Sequence, residues 1–259
     1  VEQDDRSLVI HRDWTAAQVI NPKGQGAWLL VCEHASRQIP ADLEGLGLSE
    51  AAHLSHAAWD IGALDVAQAM SKMLDAPLVA GGISRLVYDC NRPLTAPDSI
   101  PARSEVYDIP GNAGLTDSQR SERFDLIHTP FHDAIDQVLD GQTSPVMITV
   151  HSFTPVYNGV KRDVELGFLY HSNPTAAQRV LDVEQAKGRF RSALNEPYAA
   201  SDGVTYTLAK HGEARGLHAI MLEIRNDLID TPIKAQETAW HLCQTLTKAF
   251  SALQKEAAV

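Results

Sequence analysis

The stretch PVMITVHSFTP, residues 145–155, places a histidine directly after an apolar run. The run PVMITV (145–150) has the length of a buried strand and indicates one strand of a sheet. The sequence then changes at once to His151, Ser152, Phe153, Thr154 and Pro155. A buried strand needs no histidine at its end, so His151 is either a chance polar stop or part of a functional site.

Similar apolar runs recur along the chain and alternate with segments of helical spacing. We expect further strands at AWLLVC (27–32), PLVAG (77–81), SRLVYD (84–89), ELGFLY (165–170) and LHAIMLEI (217–224). Four helices are predicted. The first spans residues 60–76, the third begins in NPTAAQRVL (173–181) and the fourth spans 231–254. The second opens at the TDSQ capping box (116–119), kinks at Pro130 and stops near Gly141. This alternation predicts an α/β fold with a mostly parallel sheet.

Two segments lack such periodicity. Residues 1–25 are polar and are expected to form a loose N-terminal lead-in, and residues 93–114, rich in Pro, Gly, Asn and Ser, are expected to form a long loop. Loops of that length in a compact domain are often functional. No internal repeat divides the chain, and we expect one domain over residues 1–259.

The composition excludes several classes of partner. A net charge of -11 argues against nucleic acid or an anionic membrane surface, because both require clustered Lys and Arg. No apolar run approaches the roughly 20 residues of a membrane span, and the acidic start does not resemble a signal peptide. The 3 cysteines are too few and too widely spaced for a disulfide framework, so a cytoplasmic protein is expected. The sequence carries no signal for the oligomeric state.

Polar side chains follow several of the predicted strands. His34, His151 and Glu223 each stand at or just past the end of an apolar run. Ligands bind outside the carboxyl ends of the strands in open α/β sheets, so these residues are expected to meet at one edge. Two histidines and one carboxylate are a common set of catalytic zinc ligands. The carboxylate is predicted to be Asp60, with His56, four residues earlier, as the alternative ligand.

Other catalytic signatures are absent or incomplete. The segment GGISRL lacks the second glycine of a nucleophile elbow, so Ser84 is not expected to be a nucleophile. The chain has no phosphate-binding loop of the GxxxxGK[ST] type, and GQGAWL precedes a strand instead of following one. A carboxylate near a metal-bound water can take its proton, which is the role predicted for Glu223.

A set of short motifs extends this hypothesis to a family. The motifs are CEHASRQIP (32–40), HAAWDIGA (56–63), SRLVYDCNRP (84–93), IPGNAGL (109–115), HSFTP (151–155), NEPY (195–198) and EIRNDL (223–228). Together they resemble the N-formylglutamate amidohydrolase family over roughly residues 27–245. That family is similar to the zinc carboxypeptidases and the succinylglutamate desuccinylases. The resemblance implies a three-layer α/β/α fold with a mixed sheet, of the zinc-exopeptidase-like (phosphorylase/hydrolase-like) kind.

The resemblance also implies roles for individual residues. His34 and His151 become ligands of one Zn²⁺ ion, and Asp60 the third ligand, because Arg37 stands where the carboxypeptidase pattern has a glutamate. Glu223 is implied as the general base, with Arg225 beside it as a second catalytic residue. Three residues are implied in substrate binding besides Arg85, and these are Asn91, Arg92 and Asn112.

The implied reaction is hydrolysis of a small N-acyl amino acid, with N-formyl-L-glutamate as the first substrate to test. Its two carboxylates call for two cationic contacts. Arg92 with Asn91 is expected to supply one, and Arg85, Arg162 and Arg225 are candidates for the other. For Arg162, in the segment NGVKRD, an ordinary surface or structural ion pair is the favoured interpretation. The alternatives are a carboxypeptidase-like hydrolase of short peptides and a non-catalytic protein that binds an anionic metabolite.

Overall fold

A mixed sheet of 7 strands forms the centre of the computed structural model, which describes residues 14–143 and 145–256. The strands, in chain order, are β1 (Ala17–Ile20), β2 (Trp28–Cys32), β3 (Leu78–Gly81), β4 (Arg103–Ser104), β5 (Tyr107–Asp108), β6 (Val146–Phe153), β7 (Val156–Tyr157), β8 (Val160–Lys161), β9 (Leu166–Leu169), β10 (Ser192–Leu194) and β11 (Ala219–Arg225). The sheet has the order β1-β3-β2-β6-β11-β9-β10, while β4–β5 and β7–β8 are separate hairpins. Strands β3, β2, β6 and β11 are mutually parallel, and the sheet is antiparallel at β1–β3 and β9–β11.

Helices cover both faces of this sheet. They are α1 (Glu50–Leu54), α2 (Ala63–Leu74), α3 (Asp117–Arg123), α4 (Thr129–Asp140), α5 (Thr175–Lys187) and α6 (Pro232–Glu256), with π-helical segments at Phe124–His128 and Leu208–Gly212. Side chains of α2, α5 and α6 share one apolar core with alternate strand residues such as Leu30 and Ile148. Side chains of α4 pack in a second core with the intervening residues, such as Val31 and Met147. The three-layer α/β fold with a mostly parallel sheet is therefore confirmed.

Most of the predicted elements are present, and the long closing helix begins where its signals place it. Thr231 accepts a hydrogen bond from the Lys234 amide, and Pro232 occupies the first helical position. The capping box at Thr116 and Gln119 is also formed. The irregularity expected at Pro130 takes the form of the π-helical segment Phe124–His128 immediately before it. The predicted long loop contains the short hairpin β4–β5.

The predicted strand SRLVYD (84–89) was wrong. The chain turns there: the Val87 amide donates to the carbonyl of Ser84, and the Ser84 hydroxyl accepts from the Leu86 amide. Leu86 and Val87 are buried, which explains the apolar run, since burial alone does not require an extended backbone. The result is that Asp89 lies beside the site and not at the far end of a strand.

Two further boundaries differ from expectation. Part of the supposed lead-in, Ala17–Ile20, is an edge strand paired antiparallel with β3, while residues 1–13 lie outside the described residues. Strand β6 continues through His151 to Phe153, so this histidine lies within the strand and opposite Glu223 of β11 in the parallel register. That register places the two side chains next to each other on one face of the sheet.

Candidate metal and active site

Three buried side chains meet at the carboxyl edge of the parallel strands. His34 follows β2, His151 lies in β6, and Asp60 precedes α2. The Oδ2 atom of Asp60 lies 3.3 Å from Nδ1 of His34 and 2.9 Å from Nδ1 of His151. The backbone fixes Asp60 here, because its amide donates to the carbonyl of His34 at 2.9 Å. The three ligand atoms lie within 4.8 Å of one another.

Each histidine also has a carboxylate at its other nitrogen. Nε2 of His34 donates to Oδ1 of Asp89 at 2.8 Å. Nε2 of His151 lies 3.0 Å from Oε2 of Glu33, close enough for an ion pair although the groups are not aligned as a hydrogen bond. A carboxylate behind each imidazole keeps the proton on Nε2 and leaves the Nδ1 lone pair pointing at Asp60.

This arrangement fits a cation. The Nδ1 lone pairs of the two histidines repel each other and the carboxylate oxygen of Asp60 that they face, unless a positive charge lies among the three atoms. Without a metal ion, protons on the imidazoles supply positive charge among these atoms: Glu33 and Asp60 outweigh the effect of burial and raise the pKa of His151 well above its usual value. Burial alone would raise the pKa of Asp60, but His34 and His151 hold it well below its usual range. A donor set of two imidazole nitrogens and one carboxylate oxygen suits Zn²⁺ and similar divalent ions.

Glu223 stands beside this group without a fixed partner. It is 4% exposed, and its Oε2 makes no hydrogen bond with any described residue. Burial raises the pKa of this carboxyl to about 7. The neighbouring strand has Gly167 opposite Glu223, where a Cβ atom would clash with the backbone oxygen of Glu196. The glycine therefore allows the chain before Tyr198 to pack directly against strand β9 at the position opposite Glu223.

A cavity of about 240 Å³ opens over these residues. That volume suits a small molecule. Its lining contains His34, Asp60, His151 and Glu223, together with Arg85, Arg92, Asn91, His56, Glu105, Tyr157 and Tyr198.

The family model for N-formylglutamate amidohydrolase matches residues 26–230 of the chain. The chain belongs to the N-formylglutamate amidohydrolase family. It is therefore an amidohydrolase, as the sequence motifs predicted, from a family that acts on N-formylglutamate. A comparison with curated proteins gives no match.

Two solved structures are similar to this family member. The gene product Atu2144 from Agrobacterium tumefaciens is 42% identical, with 93% of this chain and 96% of that chain covered and a TM-score of 0.90. The N-formylglutamate amidohydrolase from Ralstonia eutropha JMP134 is 17% identical, with 92% and 98% covered and a TM-score of 0.65, which shows a shared fold. None of the helices that the structure describes combines the length and apolar character of a membrane span.

The two arginines that line the cavity of this amidohydrolase are already engaged. Arg85 donates to Oδ1 of Asp60 at 3.4 Å and to Oδ2 of Asp89 at 3.1 Å, so its charge offsets two buried carboxylates. Arg92 donates from Nε to Asp98 at 2.8 Å and from Nη1 to the carbonyl of Gly203 at 2.9 Å.

The side chain of Asn91 is also bonded within the protein. Its amide nitrogen donates to the carbonyl of Val204, and its Oδ1 accepts from the backbone amide and the hydroxyl of Thr207. Both polar atoms of this side chain therefore anchor the segment 204–207, which forms part of the cavity wall.

The structure does not bring Asn112 and Arg225 into the cavity. The side-chain amide of Asn112 donates to the backbone carbonyls of Leu86 and Pro101. These bonds stabilise the turn in residues 84–89, where a strand was predicted. Arg225 donates from Nε to Asp227 at 2.8 Å and from Nη2 to Glu165 at 3.3 Å. Both side chains support the walls of the site from behind.

His56, the alternative ligand, lies at the rim of the metal group. Its Nδ1 is 3.8 Å from Oδ1 of Asp60, whereas Oδ2 of the same carboxylate faces the other two histidines. Burial lowers the pKa of His56 to about 4, so the imidazole is neutral near pH 7. This geometry favours Asp60 over His56 as the third ligand.

The sequence did not assign a role to Glu33, Glu105 or Tyr198. Glu33 directly precedes His34, but nothing in the sequence indicates that it faces the other histidine. Glu105 lies at the tip of the hairpin β4–β5, with a φ of 52°. Tyr198 belongs to the NEPY motif, which was noted only as part of the family pattern. The positions of these three residues at the site depend on how distant segments are folded together.

Proposed function

We propose that this family member hydrolyses N-formyl-L-glutamate to formate and L-glutamate, with one divalent metal ion, Zn²⁺ first, held by His34, Asp60 and His151. The observation that carries the proposal is the pair of Nδ1 atoms on Asp60 Oδ2, each imidazole backed by a carboxylate. A metal ion bound there would supply Lewis acidity, which polarises the formyl oxygen and lowers the pKa of a bound water.

Glu223 is the proposed general base. Its carboxylate adjoins His151 in the register of the sheet and has an oxygen without a partner among the described residues. It takes a proton from the attacking water and returns it to the departing amine nitrogen, so one water adds across the amide bond. A protein that only binds an anion has no need of an unpaired buried carboxylate, which favours hydrolysis over the non-catalytic alternative.

Cations of the cavity face the anionic substrate in this proposal. Arg92 lines the cavity, and its Nη2 makes only a long contact of 3.5 Å, with the carbonyl of Asp202. We assign it the α-carboxylate of the substrate. Arg85, which is held between Asp60 and Asp89, fixes the carboxylates that orient the histidines.

The test is release of formate from N-formyl-L-glutamate by the purified protein. Release of L-glutamate from N-acetyl-L-glutamate and N-succinyl-L-glutamate compares other acyl groups, and a short peptide serves as the carboxypeptidase substrate. We expect formate release that is lost with a chelator and restored by Zn²⁺. Glu223→Gln should retain the metal and lose roughly 10²–10⁴-fold in kcat. Release that is indifferent to the chelator would remove the metal from the proposal, and full activity of Glu223→Gln would remove the base.

A further inference from the structure

The hairpin β7–β8 carries a cation to the side of the cavity. Asn158 and Gly159 at its turn have φ values of 49° and 77°, the positive angles that a two-residue hairpin turn of type I′ requires. At the base of the hairpin, the Arg162 amide donates to the carbonyl of Pro155 at 2.9 Å. The Nη1 atom of Arg225 donates to the carbonyl of Arg162 at 3.3 Å. The backbone of Arg162 is therefore held from both sides.

The guanidinium of Arg162 lies among aromatic rings. Its central carbon is 4.6 Å from the centre of the Tyr157 ring, 5.0 Å from that of Tyr198 and 5.5 Å from that of Phe153. Its nitrogens donate to the carbonyl of Thr154 at 3.4 Å and to the hydroxyl of Tyr198 at 3.1 Å. The rings hold the plane of the group and leave N–H donors along its edge.

Arg162 differs from the other three candidate arginines in its charge balance. Arg85 is paired with Asp60 and Asp89, Arg92 with Asp98, and Arg225 with Asp227 and Glu165. No carboxylate among the described residues lies within ion-pair distance of Arg162, which corrects the ion pair expected from the sequence. Of these four arginines, Arg162 is therefore the one without a carboxylate at ion-pair distance in the described part of the chain.

Arg162 is not itself among the residues that line the cavity, but its guanidinium lies directly behind two that do. Tyr157 and Tyr198, which enclose the guanidinium, line the cavity. The charge acts electrostatically on His56 and on Glu105, which line it as well. Glu105 makes no ion pair or hydrogen bond with a described residue. No bond between Glu105 and Arg162 therefore has to break before a ligand carboxylate binds on this side of the cavity.

We infer that Arg162 binds the side-chain carboxylate of a dicarboxylic N-formyl amino acid and so sets the preference for acidic over neutral substrates. The inference rests on the proposed function, because it takes this cavity as the substrate site. A planar guanidinium with unused edge donors matches a carboxylate through two parallel hydrogen bonds. Its aromatic surroundings fix the orientation before the substrate arrives, which reduces the entropy lost on binding.

The test compares N-formyl-L-glutamate with N-formyl-L-glutamine, which has nearly the same shape and no side-chain charge. In Arg162→Met we expect the ratio of kcat/KM for the two substrates to fall by roughly 30-fold or more, mainly through KM for the acid. Arg162→Lys should keep part of the ratio. Arg189→Met is the control, because Arg189 also lies over a ring, 5.0 Å from Phe190, away from this cavity.

Two results would overturn the inference: an unchanged ratio in Arg162→Met, or an equal loss for both substrates, which indicates a purely structural role. If the wild-type protein releases formate from neither substrate, the proposed function fails and binding decides the inference separately. Calorimetry with the metal-loaded Glu223→Gln protein should then show tighter binding of the acid than of the amide, and Arg162→Met should abolish that difference. Equal affinities before the second substitution would also overturn it.

Discussion

The carboxylates behind the two histidines control where the protons of the site lie. Glu33 and Asp89 are buried, and each occupies the nitrogen of an imidazole that points away from Asp60. Removing one of them would let the proton move to Nδ1, where it competes directly with a metal ion.

Glu33→Gln tests this control at a single residue. We expect a 10–100-fold weaker affinity for Zn²⁺, because the amide no longer holds the His151 proton on Nε2 with a negative charge. A competition titration with a chromogenic chelator measures the affinity. Glu184→Gln is the matched control: Glu184 is equally buried and lies 2.7 Å from Nε2 of His241, and neither residue lines the cavity. Equal losses of affinity in the two variants would contradict a specific role for Glu33.

The meeting of His34, His151 and Glu223 at one edge of the sheet could be predicted from the sequence, because each residue interrupts or ends an apolar run. In a parallel sheet those positions meet at one edge whatever the intervening chain does. The partners of Glu33 and Asp89 could not be predicted, since they depend on side-chain directions. Asn112 and Arg225 illustrate the same limit: their motifs indicated the site, but their side chains bond to the supporting turns behind it.

At the level of whole elements, local signals succeeded where turn chemistry or capping dictates the backbone. The capping box of α3 and the Thr231–Pro232 start of α6 are formed as expected. The Asn158–Gly159 dipeptide is an equally strong signal for a hairpin turn, and the hairpin that it forms positions Arg162. The segment SRLVYD misled because apolar composition reports burial and not backbone shape.

The π-helical segment Phe124–His128 buries a titratable group. The His128 ring stacks on Phe124 with ring centres 4.2 Å apart, and its Nε2 lies 3.2 Å from the hydroxyl of Tyr206. Burial lowers the pKa of His128 to about 4. The unfolded chain has its histidines near the usual pKa of about 6.5, so it binds more protons than the folded chain between about pH 6.5 and 4. This histidine therefore removes stability as the pH falls through that window.

His128→Gln should weaken that pH dependence. At pH 7 the variant is expected to be less stable than the wild type, because it loses the stacked ring. The difference in the free energy of unfolding between the two proteins should shrink by roughly 2–3 kcal/mol on going from pH 7 to pH 4. Only the wild type must keep a buried imidazole unprotonated at pH values where the unfolded chain protonates it. Urea unfolding of the metal-free proteins at several pH values measures this. A difference that stays constant from pH 7 to 4 would show that His128 titrates normally in the folded protein.

At the scale of the whole molecule, the candidate metal group joins parts of the chain that are distant in sequence. His34 follows β2, Asp60 precedes α2, and His151 lies in the central strand β6. Without a metal ion the group contains buried carboxylates whose charge the protein must balance with protons and Arg85. A divalent ion would replace those protons and connect two strands and a helix at one point, so binding should stabilise the entire fold.

Metal removal is therefore expected to lower the melting temperature. A ligand at about 100 times its Kd stabilises the folded state by about 2.7 kcal/mol, which corresponds to roughly 5–10 °C for a chain of this size. Calorimetric scans with excess Zn²⁺ and with chelator measure the shift. His151→Ala supplies the control, because it removes one proposed ligand and should melt at the same temperature under both conditions. A wild-type shift no larger than that of His151→Ala would mean that a zinc ion at this edge of the sheet does not stabilise the protein.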